Sequence, residues 1–162
     1  MMRPLPMYSS LSEAERFLVS REIHPDRARE AWNLGSAASL EAGKHFDAIC
    51  LRVVTALHGV PIKDGAAIEN RFRAFGITSS VFTARDRLVY YVLVPPGTDE
   101  SWQAPETTCH GRRSGALRYV KVPHPSREAG PGAHWVLPAP TGPEMLCDPE
   151  CVKALLASAA AK

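Results

Sequence analysis

Seven basic side chains fall within one stretch of eighteen residues: His110, Arg112, Arg113, Arg118, Lys121, His124 and Arg127. Only Glu128 follows closely to offset them. Guanidinium and ammonium groups on a loop form charge-assisted hydrogen bonds to phosphate oxygens. Ser114 and Gly115 beside them would let a ligand come close to the backbone. The binding set expected from this pattern is Arg112, Arg113, Ser114, Arg118, Lys121 and His124, on a basic loop spanning 110–127, with nucleic acid or a nucleotide as ligand. The plain alternative is a solvated loop whose charge meets acids elsewhere on the surface. No Gly-rich phosphate fingerprint accompanies the cluster.

Metal-assisted phosphoryl transfer needs carboxylates that converge on magnesium, and the usual source is an i, i+2 pair on one strand. Asp47 stands alone in "FDAICL", Asp86 sits in a turn, and the adjacent Asp99 and Glu100 would diverge in extended chain. Asp148 is explained as a helix cap. No catalytic residue and no metal ligand is therefore expected. The alternative is a rearranged acid set, Asp47 with Asp86 or Asp99, working with magnesium or manganese. Cys109 and His110 are adjacent and Cys147 and Cys151 are four apart, which is a poor approximation to the closely spaced pairs of a structural zinc site. Free, partly buried thiols are the expectation for them. Cys151 near a helix N-terminus has no evident partner base. The six histidines show neither HExxH spacing nor a triad context. Of the tryptophans, Trp32 falls on a helix, Trp135 in a strand, and Trp102 in a loop as a lid on the core.

These groups must be positioned by the surrounding elements. Residues 1–8 are expected to form a loose arm. Ser10 and Glu13 have capping-box spacing ahead of Ala14, Phe17 and Leu18. Pro25 and Asp26 open a second helix. A strand is expected near 46–51. Asp64 caps a helix that carries Ile68, Phe72 and Phe75 on one face and ends at Gly76. Val81–Thr83 and Leu88–Val94 read as a hairpin, and its second arm is apolar on both faces, as in a central strand covered on both sides. Residues 98–108 read as a polar loop, and "ALRYVKV" and "HWVLP" as two short strands. Asp148 and Pro149 begin the last helix, with Val152, Leu155, Leu156 and Ala159 on its apolar face. The sum is a single α+β domain over 9–162, with a mixed or antiparallel sheet of four to five strands and about four helices.

The chain has 162 residues, enough for one core. Its 19 Lys+Arg against 17 Asp+Glu leave a net charge of +2, so only local clustering argues for a nucleic-acid partner. No apolar run approaches the ~20 residues of a membrane helix. The start, "MMRPLPMYSS", lacks the apolar region of a signal peptide. A cytoplasmic protein is the expectation, and four cysteines are too few for a disulfide scaffold.

Taken in order, "FDAI" at 46–49, "RLVYYVLVPPG" at 87–97, "ALRYVKVPHPS" at 116–126 and "GAHWVLP" at 132–138 resemble the N-terminal domain of bifunctional DNA primase/polymerases, in the archaeo-eukaryotic primase superfamily. Tyr119, Val120, Pro125, Ser126, Gly130 or Gly132, and Trp135 match that family's run of "YV", a proline-serine turn, a glycine and an aromatic-containing strand. The resemblance covers roughly 44–160. It implies the fold and a nucleotide or nucleic-acid ancestry. Active members carry a DxD-like pair and a strand histidine. Here only Asp47 stands at the first place, and His110 is the nearest candidate for the second. No catalytic residue carries over and polymerase activity is not implied, so the expectation is a non-catalytic primase/polymerase-like domain in a regulatory or accessory binding role. An interaction module whose basic loop docks a protein partner is the further alternative.

Overall fold

The computed structural model describes residues 6–57, 60, 64–84, 87–113 and 118–160. The segment VYYVLV forms β4 (Val89–Val94), and its double-sided apolar character has a direct cause. It is the middle strand of a five-stranded sheet ordered β5 (Thr108–His110), β2 (Asp47–Arg52), β4, β3 (Val81–Ala84), β7 (His134–Trp135). All of its pairings are antiparallel.

On one face Ala48, Phe82, Leu93 and Trp135 pack with α1 (Pro6–Val19) and α2 (Pro25–Asn33). On the other, Ile49, Leu51, Tyr90 and Val92 pack with α4 (Gly65–Ala74), α5 (Pro149–Ala160) and the single turn of α3 (Val53–Ala56). The expected central strand, covered on both sides, is therefore present. A second, two-stranded sheet pairs β1 (Ala38–Glu41) with β6 (Tyr119–Val122), antiparallel, with Ala38 opposite Val122 and Glu41 opposite Tyr119. Its Ala38, Leu40, Val120 and Val122 complete the first core.

The α+β class holds, with a five-stranded sheet and four helices of nine residues or more among the described residues. Several local expectations change. α1 begins at Pro6, so residues 6–8 are helix rather than arm, and Ser10 lies inside the helix instead of capping it. β1 and β5 were not expected. Their sequences, ASLE and TCH, carry no pattern of their own, and their partner strands hold them. β6 and β7 lie in different sheets, which accounts for the long connection between them. No helix among the described residues is long and apolar enough to cross a membrane.

Asp64 caps α4 as expected, its Oδ1 accepting the Ala67 N–H at 3.0 Å. Asp64→Ala leaves that amide to water and is expected to cost about 1 kcal/mol. A lowered urea midpoint at unchanged m-value would register it. An unshifted midpoint would mean that packing alone holds the helix start.

Candidate functional site

Antiparallel pairing sets Asp47, the first residue of β2, opposite Val94, the last of β4. The chain then turns back through Pro95, Pro96 and Gly97, whose φ of +92° suits glycine. This return lays Asp99 over Asp47. The Asp99 N–H donates to Asp47 Oδ2 at 2.9 Å, and Asp99 Oδ2 in turn accepts the Arg113 N–H at 2.8 Å. Gly111 fills the remaining space. A Cβ there would lie 2.6 Å from Asp99 Cγ and 2.8 Å from Asp47 Oδ2. The two acids, isolated in sequence, are thus one unit.

Asp47 is fully buried. Its carboxyl is pushed up to about 6, first by burial and then by the charge and hydrogen bond of Asp99, against the opposing pull of the Asp99 and Gly97 amides. Cys109, on β5, is pushed up to about 12 by burial and by the same two carboxylates.

This relay fixes the turn that carries Arg112 and Arg113. Both arginines are exposed, and neither makes an ion pair among the described residues. A second support comes from Gly43 in the β1–β2 turn (φ +95°), where a Cβ would stand 2.4 Å from the Arg112 backbone nitrogen. The same turn carries Lys44, whose Nζ donates to the Arg21 carbonyl at 3.2 Å and pairs with Glu41 at 3.4 Å. Arg118 reaches Glu41 from the other side at 3.2 Å. Lys44, Arg112, Arg113 and Arg118 are thus gathered at the Gly43 turn, where the Ala42 N–H donates to the Arg118 carbonyl at 2.7 Å and Glu41 is the shared counter-ion of Lys44 and Arg118.

The expected binding set divides. Arg112, Arg113 and Arg118 belong to this surface. Lys121 projects from the outer side of β6, opposite Ser39 in register, and is exposed. His124 is committed elsewhere. Its Nδ1 accepts the Ser126 N–H at 3.1 Å, its Nε2 meets Glu15 at 3.0 Å, and its ring packs edge-on to Trp32 at 5.3 Å. Ser114, like Asp86, lies outside the described residues. Sequence reasoning named Asp99 only as an alternative partner for Asp47, and it missed Lys44 and Gly111. A glycine between Ala42 and Lys44 was the available signal for Lys44, since it marks a turn that presents a cation.

The two cysteine-containing pairs do not gather, and no group of three metal-ligand side chains forms among the described residues. All four cysteines are free thiols. Trp102 is the expected lid, half-buried against the second core with its Nε1–H on Thr107 Oγ1 at 3.0 Å. No family model matches the chain, and no curated protein or solved structure matches it either.

Proposed function

We propose that the chain is a non-catalytic, primase/polymerase-like domain that holds the phosphates of nucleic acid or a nucleotide on the basic surface around Gly43, in an accessory or regulatory role. The observation that carries this reading is the state of Arg112 and Arg113: exposed, without ion pairs among the described residues, on backbone held by Asp99 and packed against Gly43. Fixed main chain reduces the ordering cost of binding. Guanidinium forks suit phosphate geometry. The family resemblance of the surrounding strands supports the choice of a nucleotide-type ligand.

The test is binding of a labelled single-stranded oligonucleotide at low salt. The Arg112→Ala/Arg113→Ala double variant is expected to bind weaker, on the order of tenfold for each charge-assisted hydrogen bond removed. No binding by the parent chain, or equal binding by the variant, would remove the proposal.

A second reading is metal-dependent nucleotidyl transfer, and the contact between Asp47 and Asp99 favours it. Buried Asp99 Oδ1 has no partner among the described residues. Incorporation of labelled nucleotide with magnesium or manganese, abolished in Asp47→Asn, would establish that reading over the first.

A further inference from the structure

A cleft of about 810 Å³ lies between the α2–β1 turn and the loop that joins β6 to β7. Small-molecule sites span roughly 300–1,000 Å³. Its walls are fixed by hydrogen bonds rather than left to packing. The indole N–H groups of Trp32 and Trp135 donate to the consecutive carbonyls of Val122 and Pro123, each at 2.9 Å. The Trp135 N–H holds the Arg127 carbonyl at 2.7 Å.

Arg127 itself ties the two walls together. Its guanidinium donates to the Gly35 carbonyl at 3.0 Å on one side and to the Pro131 carbonyl at 2.9 Å on the other. A guanidinium has five N–H groups, so this one is held in place by neutral acceptors and keeps donors in reserve. Its charge meets no carboxylate among its described partners.

The lining chemistry has one sign. Ser36, Asn33 and Ser126, whose hydroxyl lies 2.8 Å from His124 Nδ1, add neutral polar groups, and no aspartate or glutamate lines the cleft among the described residues. His124 also lines the cleft, but its Nε2 is turned to Glu15 at 3.0 Å. Trp32 and Pro123 provide an apolar shelf beside the donors. A cationic ligand would meet Arg127 with nothing to neutralise it. A compact anion carried on an uncharged body fits both halves of the lining.

We propose that this cleft binds a small phosphomonoester, with its phosphate on Arg127 and the neighbouring serine hydroxyls and its uncharged body against Trp32 and Pro123. The site is separate from the Gly43 surface and does not rest on the reading given for it.

The test uses the full chain and ¹⁵N–¹H NMR titrations with adenosine monophosphate, glucose 6-phosphate, inorganic phosphate and adenosine. The expected result is saturable shifts at Ser36, Ser126 and Arg127 with at least one ester, and none with adenosine. Arg127→Lys, which retains the charge but loses the fork, is expected to weaken binding about tenfold. Ser36→Glu, which sets a carboxylate in the cleft, is expected to abolish it. Arg112→Ala/Arg113→Ala should leave ester binding unchanged, which separates this site from the Gly43 surface. A preference between the two esters identifies the body the shelf accepts. No shifts with either ester, undiminished binding in Ser36→Glu, or abolished binding in the Arg112→Ala/Arg113→Ala variant would each overturn the proposal.

Discussion

Asp47→Asn is expected to raise the unfolding free energy at pH 8 by up to about 3 kcal/mol and to change it little at pH 4. The sign follows from the direction of the shift. Burial and the Asp99 charge lift the Asp47 carboxyl from an ordinary 3.8 to about 6. The folded state therefore holds this proton more tightly than the unfolded chain does. That preference stabilises the fold fully below pH about 4 and is lost as the pH rises through about 6. Asparagine has nearly the same shape and carries no charge. Its Oδ1 can still accept the Asp99 N–H, and its amide can donate to the Asp99 carboxylate. The titratable side chains that face Asp47 are Asp99 and Cys109, both acids; only the Asp99 and Gly97 amides favour the anion, and burial outweighs them. Urea unfolding of both proteins at pH 4 and pH 8 reads the effect. A variant less stable than the parent at pH 8 would show that the fold requires the charge.

Gly43→Ala is the other large effect, an expected loss of about 2–4 kcal/mol. Two costs combine. A φ of +95° penalises any side chain, and the new methyl would sit 2.4 Å from the Arg112 nitrogen and 2.7 Å from its Cα. The obstructing atoms are main chain, and Arg113, the next residue, is held through its amide by Asp99. The β1–β2 turn must therefore move away from the basic turn. The denaturation midpoint should fall, and oligonucleotide binding should fall beyond what the reduced stability explains. A variant within 0.5 kcal/mol of the parent, roughly the range of a neutral surface change, would contradict this packing.

How much of this was legible in the sequence depended on whether a segment carries its own signal. VYYVLV announces a central strand because both its faces must be covered. Asp64 and the Asp148–Pro149 pair announce helix starts because the cap acts on amides two or three residues away; the Asp148 Oδ1 accepts the Glu150 N–H at 2.9 Å. ASLE and TCH announce nothing, since each is a strand only by virtue of its partner. The Asp47–Asp99 pair entered only as an alternative, for a related reason. Asp47 and Asp99 are 52 positions apart, and only the β2–β4 register followed by the return at Gly97 joins them. A search for two acids on one strand cannot see a pair built from a strand end and the turn above it. The basic stretch was visible as composition, but its members disperse. Arg127 braces a cleft, His124 meets Glu15, and Arg118 shares Glu41, while Lys44 enters from distant sequence.

The central claim, that phosphates are held by arginines on an acid-braced turn, is tested most directly by the salt dependence of single-stranded DNA binding. Each phosphate neutralised contributes a slope of about −0.7 in log K against log salt. Fluorescence anisotropy across a salt series should give a negative slope for the parent chain and one shallower by about 1.4 for Arg112→Ala/Arg113→Ala. Identical slopes, or a parent affinity indifferent to salt, would contradict the account.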